Sequence, residues 1–338
     1  SGGGVPRIGL QRVAQDREDP IMATADNERK LSDTVSQGAN ALLDEAAALI
    51  LRHAPRTGVH ATIVPGLTLY RITSNTFIER SAGELMTSFI VRGRKSTAIG
   101  GQVLEYGPGE SLVCGIASPS EFHTLDASPE NPFLALSVSL DMTVLMEYAG
   151  ALAWSHKVPK SSDLPNGVHV IRPDEDLAEG FLLLLRLLER PALVSLRAPL
   201  FLRNLHALLL DSSCGASLRA LACAGTEGHA VLNAVTWIRS NYSDSCSIET
   251  LTSRANMSNA TFHRHFRQVT GFSPLQFRKR VRLFEARRML LAREVNVTTA
   301  SYRVGYESSA QFVRDYKSLF GDSPLRDIKR LREAGAEA

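Results

Sequence analysis

A chain of 338 residues, 44% hydrophobic and 22% charged, holds enough apolar material for two domains with a core each. No apolar run in it approaches the roughly 20 residues that cross a bilayer, which argues against a membrane protein. The net charge of +3 conceals an uneven distribution: residues 229–338 carry 18 Lys and Arg against 10 Asp and Glu, while the rest carries 20 against 25. A basic block of that size is the electrostatic footprint of a polyanion partner, although a solvated basic face has the same composition.

Residues 1–30 mix glycines and charges without an apolar stretch, the pattern of a disordered tail or vector remnant rather than a signal peptide, and Met22 offers an alternative start. Ala41 to His53 has helical periodicity and is stopped by Pro55 and Gly58. From Val59 to Asp141 the period changes to two. Leu134, Leu136, Val138 and Leu140 alternate with small residues, and Leu112, Cys114 and Ile116 do likewise, which predicts half-buried strands. Gly100-Gly101 and Gly107-Pro108-Gly109 predict tight turns, so residues 31–140 read as a helix followed by a small barrel or sandwich. Residues 141–214 return to helix, with apolar runs at Asp174–Glu189 and Leu196–Leu210 punctuated by Pro191 and Pro199. Such helices cover the barrel or form a dimer seam, two outcomes with the same sequence pattern. Residues 215–228 read as a linker. Cys114, Cys214, Cys223 and Cys246 lack CxxC spacing and fit reduced, buried thiols in the cytoplasm.

The remaining residues, 229–338, contain a duplication. Phe262, Phe266, Gly271, Ser273, Pro274 and Leu275 recur 50 positions later as Phe312, Tyr316, Gly321, Ser323, Pro324 and Leu325; Ser258 and Arg264 recur as Ser308 and Arg314. Aromatics at i and i+4 followed by Gly-x-Ser-Pro describe a helix with one packed side and a firm stop. His229–Tyr242 forms a leading helix with Val231, Val235 and Ile238 on one side. Ser247 caps a short helix through Arg254, Asn256-Met257-Ser258 turns, and a second helix follows over about 258–269. The second copy runs Val297–Val304, Gly305-Tyr306, then about 308–320, with Phe312, Tyr316 and Leu319 inward. Each copy is a helix-turn-helix.

A major groove accepts one helix, and the arginine fork matches the two acceptors of guanine. Arg264 and Arg314 are therefore the leading base contacts, with phosphate contact or a surface ion pair as the alternative. Around them Asn259, Ala260, His263, Ser309, Ala310 and Gln311 are base-facing candidates, with Val313 also outward. Ser258, Arg267, Arg278, Lys279, Ser308 and Lys317 are phosphate candidates. Pro274–Ala292, a helix of about 28 Å carrying Arg280, Arg282, Arg287 and Arg288 as well, spaces the copies by nearly one 34 Å turn of DNA. Its Leu275, Phe277, Val281, Phe284, Met289 and Leu290 are expected to pack on both copies.

With MSNATFHRHFRQVTGFSPLQF, RLFEARRMLL and YRVGYESSAQFVRDYKSLFGDSPLRDI, residues 229–332 resemble the DNA-binding domain of AraC/XylS-type transcription regulators. PGLTLYRI, IVRGRKSTAIGGQVLEYGPGESLV and SPENPFLALSVSLD are similar to a cupin-like regulatory domain of that family. The resemblance implies an α+β chain: an N-terminal cupin-like β-barrel with flanking helices, then an all-α domain with two helix-turn-helix units joined by a long linker helix. It implies a bacterial, cytoplasmic, non-enzymatic regulator without a cofactor, whose partners are double-stranded promoter DNA, RNA polymerase if it activates, a second copy through the N-terminal domain, and a small-molecule effector. Ala300-Ser301-Tyr302 departs from the family's preference before the second turn, where looser packing is expected.

Two other functions compete. A cupin-type metal enzyme fused to a DNA-binding domain needs clustered histidines and a carboxylate, whereas the barrel region offers His60 and His123 without His-x-His spacing. A non-specific architectural protein shares the basic, helical composition and differs in lacking base preference. Arg92, Arg94 and Lys95 are an anion-attracting group or a charged turn.

Overall fold

A computed structural model describes residues 38–75, 78–152, 166–244 and 248–336. The tail, Met22, Cys246 and the cap assigned to Ser247 lie outside the described residues.

The first helix, α1 (38–53), buries Ala46, Ala47, Leu49 and Ile50. Nine strands follow: β1 (Gly58–Ala61), β2 (Leu67–Ile72), β3 (Ile78–Ser81), β4 (Met86–Arg92), β5 (Lys95–Ile99), β6 (Gln102–Tyr106), β7 (Ser111–Cys114), β8 (Ser120–Thr124) and β9 (Phe133–Ser139). After α2 (Met142–Leu152) comes a strand that periodicity did not reveal, β10 (Val168–Ile171). The strands make two antiparallel sheets, β1-β2-β9-β4-β7-β10 and β3-β8-β5-β6. Ile72, Ile90, Leu112 and Phe133 of the first sheet meet Ile99 and Tyr106 of the second, so the sheets form a sandwich.

The outer face of the six-stranded sheet is covered by helices, and Leu69, Phe89, Leu134, Leu136 and Val138 pack there against α1, α2, α3 (Glu175–Leu187) and α4 (Val194–Asp211). Phe89 and Phe181 stack with centroids 5.1 Å apart. β9 is consequently buried on both faces rather than half-buried, because its small residues face the second sheet. Of the two roles open to the apolar helices, α3 covers the sheet. α4 does so with Leu205, Leu209 and Leu210, yet leaves Leu196 and Leu200 67% and 62% exposed. Pro191–Asp211 is moreover a 21-residue stretch with mean hydropathy 1.3, long and apolar enough by length and composition to cross a membrane, which corrects the expectation that no run approaches that size.

Where a linker was expected at 215–228, the chain forms α5 (Gly215–Ala222) and a turn capped by Thr226. Its small residues serve close packing rather than flexibility: Ala220, Ala222 and Cys223 are buried. The rest is helical: α6 (Glu227–Ser240), α7 (Ile248–Ala255), α8 (Asn259–Thr270), α9 (Pro274–Leu291), α10 (Val297–Arg303), α11 (Ser309–Phe320) and α12 (Pro324–Ala336). One core gathers α6, α7, α8 and the first half of α9; a second gathers the rest of α9 with α10, α11 and α12. The fold class is α+β, as the sequence predicts.

Candidate nucleic-acid interface

The two copies are built alike at both helix ends. Ser258 and Ser308 cap α8 and α11, each side chain accepting from the backbone N–H three residues on, at 3.3 and 3.4 Å. Gly271 and Gly321 end them in left-handed backbone at φ 77° and 84°, a conformation that side chains resist. Ser273 and Gln276 then form a capping box, with Pro274 in the first turn of α9. Both serines proposed as phosphate contacts thus have a structural duty first.

The inner stripe of α8 is Phe262, Phe266 and Val269, all buried, with Phe266 edge-on to Phe277 at 5.6 Å. In α11 the stripe is Phe312, Tyr316 and Phe320; Leu319, expected inward, is only half-buried. Spacing by four places Phe320 on the axis of the stripe, where it meets Phe284 edge-on at 5.2 Å. Ser301, the departure expected to loosen packing, is fully buried with its hydroxyl donating to the Thr298 carbonyl at 2.8 Å.

Of the base-facing candidates, Asn259, Ala260 and Arg264 on α8 are exposed, as are Ala310, Gln311 and Arg314 on α11. Arg264 Nη2 lies 3.2 Å from His265 Nε2. His263 is half-buried with its ring edge-on to Phe262, and Ser309 is half-buried. Val313, expected outward, leans against the second core. Arg267 and Lys317 are exposed at matching positions of the two copies.

The linker helix departs further from expectation. Lys279 Nζ pairs with Asp315 at 2.6 Å, Arg278 reaches the Asp244 carbonyl, and Arg282 bonds the carbonyls of Tyr242, Ser243 and Asp244. Arg280 stacks over Phe272, Arg288 pairs with Glu285 and Glu294, and Leu275 is 53% exposed rather than packed. Arg287 is nearly buried. Its guanidinium forks onto Asp327 at 2.8 and 3.1 Å, and that fully buried carboxylate also accepts from Tyr316 at 2.8 Å and Arg330 at 2.7 Å. Burial alone would raise the Asp327 carboxyl, but the bonds from Arg287, Tyr316 and Arg330 together outweigh it and hold the group below the usual carboxylate range. Sequence reading missed this cluster. Its one signal was that the second copy replaces Phe266 and Phe277 by Tyr316 and Asp327.

Gln311, Arg278, Lys279 and Asp315 come together around one crevice of about 230 Å³ at the second turn. The other anion-attracting group is split: Arg94 pairs with Glu105 at the surface, whereas Lys95 is 5% exposed inside the sandwich, its ammonium 3.5 Å from the centre of the Phe122 ring. Among the described residues no three His, Cys, Asp or Glu side chains cluster as a metal site would require.

Residues 63–217 match the family described as AraC-type transcriptional regulator N-terminus, and residues 251–330 match a helix-turn-helix domain. The chain is 31% identical over 101 residues to the HTH-type transcriptional activator RhaS of Pectobacterium carotovorum subsp. carotovorum (strain PC1), covering 30% of this chain and 36% of that one. RhaS of Escherichia coli (strain K12 / DH10B) is 32% identical over 97 residues, covering 29% and 34%. The chain thus spans about a third of the length of the curated relatives it matches. The crystal structure of ToxT from Vibrio cholerae O395, bound to (E)-4-(8-methylnaphthalen-1-yl)but-3-enoic acid, superposes with a TM-score of 0.52 over 78% of this chain and 97% of that one, at 8% identity, a likeness of fold alone. With both of its domains matched in order, the chain belongs to the AraC/XylS family of transcription regulators, its AraC-type N-terminal domain followed by a helix-turn-helix DNA-binding domain.

Proposed function

We propose that the chain regulates transcription by reading DNA bipartitely, with α8 and α11 in successive major grooves. The observation that carries this is the repeat in three dimensions: two helices with matching caps, matching inner aromatics and an exposed arginine at the same place, Arg264 and Arg314. The 18 residues of α9 span about 27 Å, close to the 34 Å that separates successive grooves on one side of the duplex. Arg264→Ala or Arg314→Ala should each weaken binding to the cognate site by about 1–3 kcal/mol and relax base preference at one half-site. Quantitative footprinting at several salt concentrations checks this. A loss equal on all sequences would make both residues phosphate contacts, and equal wild-type affinity for cognate and random DNA would favour the architectural reading. Because the modules carry His263 beside Arg264 but Val313 and Asp315 beside Arg314, the half-sites differ and the pair is not a palindrome.

The N-terminal domain takes the sensing and pairing roles of a cytoplasmic regulator whose partners are an effector, polymerase where it activates, and a second copy. Leu196 and Leu200, one turn apart on α4, are the face for that second copy. Leu196→Asp with Leu200→Asp should convert a dimer into a monomer in sedimentation; a wild-type monomer at micromolar concentration, or a dimer that survives the change, would refute this surface.

A further inference from the structure

The two modules differ in what holds the far end of the recognition helix. The last carbonyls of any helix lack partners within it. In α8 two of these are satisfied from the N-terminal domain: Gly167 N–H donates to the Val269 carbonyl at 3.1 Å, and the buried Ser118 hydroxyl donates to the Thr270 carbonyl at 3.0 Å. The tip of the β5–β6 hairpin lies directly on the cap. A Cβ added at Gly271 would stand 2.0 Å from the Gly100 Cα, so the two backbones touch where only glycine fits on either side. Ile116 of the sandwich is fully buried and belongs to the same core as Phe262, Phe266 and Val269, which it helps to complete. At the equivalent cap of α11 nothing described lies within 4 Å of where a Gly321 Cβ would be, and among the described residues the second core draws on the sandwich only through the half-buried Ala82.

We infer that the N-terminal domain is a structural part of the first reading module and not of the second, so that loosening this seam silences one half-site and spares the other. The inference rests on the bipartite reading for its effect on DNA. The seam supplies α8 with two hydrogen-bond donors and a core side chain, and a helix deprived of them frays from its C-terminus, where Arg267 sits. An event within the sandwich therefore has a direct route to α8, whereas its route to α11 runs through α9.

The hairpin supplies its own control. Gly100 and Gly101 both have positive φ, 61° and 80°, so alanine strains the backbone at either; only at Gly100 would the new methyl meet Gly271 and Thr270, at 2.9 and 3.0 Å, while at Gly101 it meets open space. In the full chain, Gly100→Ala and Ser118→Ala should speed amide exchange over 267–272 at least fivefold relative to Gly101→Ala, with exchange over 317–322 unchanged. Half-site-resolved footprinting should show a fivefold or greater loss at the first half-site only. Behaviour identical to Gly101→Ala, or equal loosening of both modules, would overturn the inference. If Gly100→Ala fails to fold, Ser118→Ala decides alone. A wild-type protein that protects no DNA would sink the bipartite reading, while the exchange comparison, made without DNA, would still judge the seam.

Discussion

Asp327→Ala should cost about 3–5 kcal/mol and unfold the second module while leaving the first intact, because it strands the guanidinium of Arg287 in a site where that side chain is about 10% exposed. Denaturant unfolding followed by exchange over α10, α11 and α12 would check this. A cost under 1 kcal/mol, or uniform loss across both modules, would show that water replaces the carboxylate. The pH dependence has a definite sign. Since the folded state holds Asp327 more acidic than the unfolded chain does, its contribution is complete above the ordinary carboxylate range and is lost as pH falls through and below it. The first module carries Phe266 and Phe277 where the second has Tyr316 and Asp327, so acid should melt the second module first.

Lys95→Met should have the opposite sign and raise stability at neutral pH. Burial pulls the Lys95 ammonium down from 10.5 to about 8, with nearby Glu79 opposing the shift only in part. A lysine more acidic when folded destabilises the fold wherever both states carry the proton. The penalty of about 3 kcal/mol is complete below pH 8 and disappears as pH rises towards 10.5. Methionine keeps the length of the stem and forfeits the contact with the Phe122 ring, worth about 0.5–2 kcal/mol, so the net gain at pH 7 is about 1–3 kcal/mol. The gain should shrink between pH 8 and 10. Burial pushes Tyr70 and Cys114 up to about 12, and Cys114, which Lys95 holds down, rises further in the variant, so both groups stay protonated in the two folded proteins across this window and cancel from the difference. A variant less stable at pH 7, with a difference indifferent to pH, would mean that the cation–ring contact outweighs burial.

Local signals carried much of the architecture. The alternation around Leu134–Leu140, the turn at Asn256-Met257-Ser258 and the glycine stops at Gly271 and Gly321 each concern residues within a few positions of one another, and each corresponds to an element boundary or face in the structure. What escaped depended on distance along the chain. Nothing near Arg287 announces Asp327, 40 residues on, so in the sequence a buried cation is indistinguishable from the other basic residues of its helix. Gly100 looked like an ordinary turn residue, and its contact with Gly271 spans two domains. Sequence periodicity points Leu319 inward where the structure buries Phe320, because a short helix leaves the phase of its stripe open by one residue. At 215–228 composition misled, since glycine, alanine and cysteine favour flexible chain and tight helix packing alike.

The long helix between the modules has a consequence of its own. Phe277 and Val281 belong to the first core, and Leu283, Phe284, Ala286, Met289 and Leu290 to the second, so α9 is a wall common to both. Its buried side therefore turns along its length instead of keeping to one stripe. For a protein that must address two grooves at once, such a helix fixes angle more tightly than distance. One residue inserted in it would move the second module by only about 1.5 Å but swing it through about 100°, away from the side of the duplex that the first module grips. Substitutions on the exposed side of α9 leave that phase untouched, whereas a change of its length by anything other than whole turns does not.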